Sequence, residues 1–210
     1  MRKSERAELQ TEARFAYGDR SIPEINVAGQ DMMYEVELSD IKRVSDFTAA
    51  DKLNIAKRKK ELGNKEFKRG EMKGAMKLYD AACKLAVDEV NSGELEARGE
   101  TETEFISIAG ACYNNVARVL YKKGDLSKAK EAACATLENT PRDMTVPAMR
   151  PAYVLLVNIC AEMSDFYEAE MALAAAREAF GDDKDFARLE KMVRKKKREA
   201  KEHEKEMAKR

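Results

Sequence analysis

Lys60 and Asn64 are side chains whose types and spacing could bind a ligand. They stand four residues apart in a stretch of helical pattern, which places an ammonium and an amide on one face of the helix. Both groups donate hydrogen bonds, and together they could contribute to holding a carboxylate through charge-assisted contacts. The alternative is that Lys60 is an ordinary solvated charge of the run Lys-Arg-Lys-Lys and that Asn64 has a structural role.

The cysteines and the single histidine are the residues that could bind a metal. None of Cys83, Cys112, Cys134 and Cys160 forms a Cys-x-x-Cys pair, and His203 cannot complete a metal set with them. Each cysteine lies in an Ala-rich or apolar stretch. We therefore interpret all four as reduced core residues, and we expect no metal and no other cofactor.

The composition excludes several classes of function. The 39 basic and 39 acidic residues leave no formal net charge, whereas a protein that neutralises phosphates needs a surplus of Lys and Arg. We therefore expect no nucleic-acid binding. No stretch approaches the roughly 20 apolar residues of a membrane span, and the N-terminus has no apolar run typical of a secretory signal. We expect a cytoplasmic protein.

A turn followed by a helix recurs three times in the second part of the chain. Each turn has a small residue, a polar residue, an apolar residue, two spacers and an alanine, at residues 70–75, 124–129 and 164–169. The first two turns are 54 residues apart and the next two are 40 apart. A repeat of about 34 residues therefore leaves two insertions, which fall at the interruptions near 91–99 and 140–151.

Small residues allow the paired helices of each unit to approach closely. Gly63 and Ala117 supply a small side chain in the first helix of two units, and Val157 takes that place in the third. One helix pair exposes apolar surface that only a neighbouring pair can cover. The sequence predicts a mainly α fold, an α–α superhelix of three helix pairs at about 56–89, 110–143 and 150–183.

The last predicted helix covers residues 184–210. Its apolar residues fall on one face suited to covering the open end of the stack, and the remainder is almost wholly charged; the apolar residues are Phe186, Leu189, Met192 and Val193.

The segment before the repeats differs in kind. Residues 32–38 alternate in the pattern of a strand, and residues 7–12 alternate loosely. Two strands make a hairpin at best, which is an incomplete sheet. We therefore divide the chain into a small partial β segment at 1–44, a repeat domain at 45–180 and a charged terminal helix at 181–210.

The repeats resemble the tetratricopeptide repeat (TPR). The first unit has the small and apolar residues of that family at the family's spacings, namely Leu62, Gly63, Gly70, Ala75, Tyr79 and Ala82. The N-terminal segment, with FAYGD and MMYEVELSDIK, resembles the last part of an FKBP-type peptidyl-prolyl isomerase domain. The larger immunophilins have this order of a closing strand, a linker and three repeats. The resemblance implies an FKBP-like immunophilin with a C-terminal remnant of the isomerase domain.

The resemblance also bears on catalysis. Tyr17 and Tyr34 match two aromatic residues of the family's prolyl pocket, but the earlier strands of that pocket would precede Met1. Isomerisation needs an enclosed pocket that favours the twisted imide, which two tyrosines cannot build. We expect this chain not to be a complete enzyme, either because it belongs to a longer protein or because the domain decayed. The alternative is that it forms the C-terminal part of an active isomerase.

Immunophilins that assist chaperones hold the terminal carboxylate of an acidic chaperone tail in a clamp of Lys, Asn, Asn, Lys and Arg. Lys60 and Asn64 match the first two positions of this clamp, and Asn115 matches the third. The resemblance implies peptide binding at these residues, with the acidic C-terminal tail of a heat-shock chaperone as the expected partner.

The third repeat departs from the clamp pattern. The last two clamp positions fall on Pro151 and Leu155, whose side chains cannot bind an anion. Arg118 and Arg150 are nearby cations that could substitute for them. The alternative is a TPR scaffold for a ligand other than a chaperone tail, because Pro151 and Leu155 make this part of the groove apolar.

Overall fold

The computed structural model describes residues 6–12, 30–37, 47–95, 99–141, 144, 146–181 and 184–208. The chain divides into two compact units, Met1–Phe47 and Thr48–Arg210. The predictions for Tyr17 and for the end of the strand at Leu38 lie outside the described residues. No helix in the described part of the chain is both long and apolar enough to cross a membrane.

The first unit contains a two-stranded antiparallel sheet. Strand β1 covers Arg6–Thr11 and strand β2 covers Met32–Glu37, with Leu9 opposite Tyr34. The small β segment predicted from the sequence is therefore confirmed. Val36, which the alternating pattern assigned to the apolar face, is 40% exposed, because a sheet of two strands has too little area to cover a whole face.

The second unit is a stack of helices. The first helices of successive pairs contact one another, α1 with α3 and α3 with α5, and α7 packs against α5 and α6. This is the predicted TPR-like arrangement of three pairs and a capping helix. The bounds are α1 Ala49–Arg69, α2 Met72–Asn91, α3 Glu100–Lys122, α4 Leu126–Glu138, α5 Met149–Glu162, α6 Phe166–Phe180 and α7 Lys184–Met207.

Helix α1 begins at a capping box. Thr48 Oγ1 accepts a hydrogen bond from the backbone N–H of Asp51, and the Asp51 carboxylate accepts one from the Thr48 N–H. Two N–H groups that have no partner inside the helix are thereby satisfied.

The turns inside the three pairs have left-handed backbone. The value of φ is 85° at Gly70, 79° at Gly124 and 60° at Ser164. Glycine adopts this conformation without a steric penalty, whereas serine brings its Cβ close to the backbone. The prediction that a small residue makes each turn is confirmed, and the third turn carries strain that the other two lack.

The first predicted insertion mainly extends two helices. Helix α2 has 20 residues and α3 has 23, whereas α4 has 13. The segment that joins α2 to α3 covers only residues 92–99. An ion pair joins each extended end to α1, between Lys52 and Glu89 of α2 at 2.7 Å and between Lys57 and Glu104 of α3 at 2.9 Å.

Helix α7 covers the end of the stack, as predicted. Phe186 and Val193 are almost fully buried against α5 and α6. Beyond this apolar contact, Arg177 of α6 pairs with Glu190 of α7 at 2.9 Å, and Lys197 pairs with Glu170 at 2.7 Å. Apolar burial and cross-helix ion pairs together fix the position of the capping helix.

Candidate functional site

A cavity of about 420 Å³ lies between α1, α2 and α3. We call it the first groove cavity. Apart from Ala111, the side chains around it can donate hydrogen bonds or offer an aromatic surface, and they are Lys60, Asn64, Phe67, Lys68, Tyr79, Asn115 and Arg118. Three of these residues are cationic and none is acidic. The lining therefore favours an anion.

Asn64 is the centre of a hydrogen-bond network in this cavity. Its Oδ1 accepts one hydrogen bond from the Tyr79 hydroxyl at 2.8 Å and another from the Asn115 amide at 3.2 Å. Because an amide oxygen has two lone pairs, its acceptor capacity is filled. The Nδ2 group of Asn64 is then the part of the side chain that can donate to a ligand.

The position of Tyr79 follows from the close approach of α1 and α2. A Cβ added at Gly63 would lie 2.7 Å from Tyr79 Cε1, so only glycine permits this packing. Burial raises the pKa of the Tyr79 hydroxyl, and the positive charge of Arg118 opposes that rise. The hydroxyl stays protonated at neutral pH and donates to Asn64.

An aromatic ring supports the cations at one side of the cavity. The Arg118 guanidinium lies 5.4 Å from the centroid of the Phe67 ring, and the Lys122 ammonium lies 4.5 Å from it. Both are within the range of cation–π attraction. The ring therefore helps to hold Arg118 at the rim of the first groove cavity.

A second groove cavity, of about 730 Å³, lies between α3, α5 and α7. Arg118 belongs to the lining of both cavities. Pro151 and Leu155, which the sequence placed on the third-repeat wall, also line it. The remaining lining has three apolar and five polar or charged residues, and consists of Val154, Leu189, Met192, Asn114, Asn158, Arg150, Asp185 and Arg188.

Arg150 is engaged by the capping helix. Its guanidinium pairs with the Asp185 carboxylate at 2.9 Å and lies 5.2 Å from the centroid of the Phe186 ring. The Asp185 carboxylate offsets part of the charge of Arg150, so a ligand carboxylate is attracted to this arginine less strongly. Of the two cations that the sequence offered as substitutes in the clamp, the structure therefore favours Arg118.

The cysteines are free thiols. Cys83, Cys112 and Cys160 are buried, and burial raises their pKa values to about 11, 12 and 11. Cys134 is half-buried, and burial raises its pKa too. Such thiols are protonated at neutral pH and poor nucleophiles. Among the described residues, no group of three or more His, Cys, Asp and Glu side chains could hold a metal ion.

The structure brings four of the candidate residues into one cavity, namely Lys60, Asn64, Asn115 and Arg118. Lys68 and Tyr79 also line this cavity, although the sequence did not indicate them as site residues. Tyr79 was interpreted as a repeat-family residue. Lys68 stands four residues after Asn64 and eight after Lys60, so the helical spacing could have identified it. Tyr34 lies in the first unit, on β2.

No protein-family model matches the chain, and no curated protein sequence gives a significant match. Solved structures do match. The C-terminal TPR-containing domain of an FK506-binding protein from Plasmodium falciparum has a TM-score of 0.59 at 22% identity, covering 76% of this chain and 99% of that one.

Two plant structures are also similar. A multi-domain immunophilin from Arabidopsis thaliana has a TM-score of 0.54 at 22% identity, covering 84% of this chain and 68% of that one. The Arabidopsis OM64 TPR domain has a TM-score of 0.51 at 17% identity, covering 69% of this chain and 98% of that one. Together with the helix pairs described above, these matches show that the second unit has the TPR fold.

The fold and the cavity lining thus define a class, a TPR domain whose groove carries a cationic, amide-lined cavity. Two of the similar structures named above come from an FK506-binding protein and an immunophilin. Because their identity to this chain is below 25%, the likeness confirms the TPR fold that the repeat motifs indicated.

Proposed function

We propose that this chain is a TPR co-chaperone or adaptor of the FKBP-like immunophilin type, which binds the C-terminal carboxylate of a partner protein in the first groove cavity. The acidic tail of a heat-shock chaperone is the first candidate ligand. The observation that carries the proposal is the lining of this cavity, in which three cations and two amides occur without any carboxylate.

The hydrogen-bond network supports the proposal. Asn64 directs its oxygen to Tyr79 and Asn115, at 2.8 Å and 3.2 Å, and so keeps its N–H groups for an acceptor. A carboxylate is acceptor-only when ionised, and it makes stronger hydrogen bonds with cationic donors than a neutral acceptor does. Lys60 and Arg118 supply such donors from α1 and α3. A terminal carboxylate has two oxygens and can accept hydrogen bonds from several donors of this kind.

Arg118 takes over the role that the clamp pattern gives to the third repeat. It lies at the boundary of the two cavities, whereas Arg150 is paired with Asp185. Of the clamp's three cations only Lys60 is therefore matched in place, and Arg118 substitutes for one of the other two. Each missing charged hydrogen bond weakens binding by about 1.5–3 kcal/mol, so we expect a lower affinity for a purely acidic tail than a complete clamp would give.

Fluorescence anisotropy with a labelled octapeptide ending in Glu-Glu-Val-Asp tests the proposal. Amidation of the peptide's C-terminus should weaken binding at least tenfold, and Lys60→Ala should do the same, because each change removes a charged hydrogen bond. Lys59→Ala is the matched control, since Lys59 is the neighbouring cation on α1 and does not line the cavity.

A further variant separates folding from binding. Asn64→Asp keeps a side-chain oxygen for Tyr79 and Asn115 but replaces the donor with a negative charge. It should fold and lose the peptide. Equal affinity for the amidated and the free peptide would exclude the carboxylate mechanism.

The alternative from the enzyme class is an FKBP-type isomerase of which this chain is the C-terminal part. A prolyl-peptide isomerisation assay with this chain distinguishes the two, and turnover above background would contradict a role through binding alone. We also propose a cytoplasmic location, because four free thiols fit a reducing compartment. Imaging of the tagged protein tests this location.

A further inference from the structure

The second groove cavity stands where the family resemblance places two clamp cations. Pro151 and Leu155 occupy those two positions, and with Val154 of α5 and Leu189 and Met192 of α7 they form the apolar part of the lining. The capping helix therefore contributes directly to this part of the groove. In a cavity of about 730 Å³, this apolar part can accommodate an apolar side chain beside the arginines of the rest of the lining.

We propose that the second groove cavity is a subsite for an apolar side chain of the bound peptide, located near the peptide's terminal carboxylate. This inference rests on the proposed function, because the carboxylate in the first groove cavity fixes the position of the peptide. The preferred ligand is then a C-terminal segment with an apolar residue such as Leu within its last five positions, and not an acidic tail alone.

Arg118 connects the two cavities and determines the order of the ligand's groups. It lines both of them, so a carboxylate that contacts its guanidinium lies at the entrance to the apolar subsite. Apart from Arg118, the cations of the second cavity are Arg150 and Arg188, and Arg150 is paired with Asp185 at 2.9 Å. The charge that remains is positive, which suits a peptide end that carries a carboxylate.

Asn114 gives a second, independent observation. It is 6% exposed, it lines the second groove cavity, and its Oδ1 has no hydrogen-bond partner among the described residues. An enclosed acceptor without a donor is unfavourable for the free protein. The oxygen itself has almost no accessible surface, so a backbone N–H of a bound peptide would satisfy it after the amide turns towards the cavity. Extended peptides have such donors, whereas a small apolar molecule does not.

The test compares the affinities of a series of peptides for the native protein and for variants of the second groove cavity. In the octapeptide Gly-Ser-Gly-Ser-Glu-Glu-Val-Asp, each of the last five residues is replaced in turn by Leu, and affinities are measured by anisotropy. Burial of a Leu side chain should raise the affinity about tenfold or more at one position. No gain above twofold at any position would overturn the inference.

Leu155→Arg restores a cation of the clamp pattern. At the peptide position where Leu raises the affinity for the native protein, this variant should bind a peptide with an acidic residue more tightly than the peptide with Leu. If Leu155→Arg fails to fold, Pro151→Lys serves as the second variant, because residue 151 is at an exposed position of α5. It should weaken the preference for Leu over an acidic residue. Met171→Ser, an exposed apolar residue of α6 outside the cavity, is the control and should leave the preference unchanged.

The two proposals fail in different ways. If amidation of the peptide has no effect, the carboxylate site is wrong. If amidation weakens binding but the Leu preference is absent, or persists unchanged in both cavity variants, only the apolar subsite is wrong.

Discussion

Replacing Gly63 with alanine should destabilise the protein, although alanine is the better helix former. The added Cβ would lie 2.7 Å from Tyr79 Cε1 and 2.8 Å from Cδ1, whereas carbon atoms in contact are normally about 3.5–4.0 Å apart. Tyr79 is 1% exposed, so its ring cannot move into solvent. Overpacking of this kind costs about 1–3 kcal/mol, and the gain in helix propensity returns at most about 1 kcal/mol.

We therefore expect Gly63→Ala to lower the free energy of unfolding by up to about 2 kcal/mol in urea denaturation followed by circular dichroism. The displaced ring should also weaken the hydrogen bond between Tyr79 and Asn64, so peptide affinity should fall in the folded variant. Packing of two helices and ligand binding depend here on the same contact.

Two other glycines provide matched controls for the same substitution. A Cβ at Gly74 would meet the flexible end of the Glu66 side chain at 3.3 Å, and one at Gly110 would have only ordinary contacts of 3.6 Å or more. Both variants should be as stable as the native protein or more stable, by up to about 1 kcal/mol. A Gly63→Ala protein as stable as these two would refute the argument from close packing.

Three further changes test the helix turns and caps. Ser164→Gly should raise the free energy of unfolding by up to about 1 kcal/mol in urea denaturation, because glycine removes the strain of the left-handed turn. Thr48→Ala should lower it by about 1 kcal/mol through loss of the N-cap of α1, and Thr48→Ser should retain it. The hydrogen bond from Lys130, helped by the backbone N–H of Glu168, lowers the pKa of Asp165. A carboxyl group with a lowered pKa stabilises the fold above its unfolded pKa near 4 and loses this effect as the pH falls through the folded value. Lys130→Met should therefore reduce the loss of stability on acidification below pH ~4, and an unchanged acid profile would contradict this role.

The sequence could predict the features that depend on local spacing. The recurring turns with Gly70 and Gly124 identified the helix pairs, because a left-handed residue ends one helix and starts the next within a few positions. The spacing of four residues between Lys60 and Asn64 placed them on one face of α1 without any knowledge of the tertiary structure. Alternation at residues 32–37 identified β2 in the same way.

The tertiary structure decided which distant groups meet. Asn115 reaches Asn64 across 51 positions and Tyr79 reaches it across 15, and both contacts depend on how closely α1, α2 and α3 pack. The pairing of Arg150 with Asp185 likewise depends on the position of α7, and it makes Arg150 the weaker of the two substitute cations. Residue spacing determines which side chains share a face of one helix, whereas contacts between helices are set by the packing of their side chains, which local periodicity does not specify.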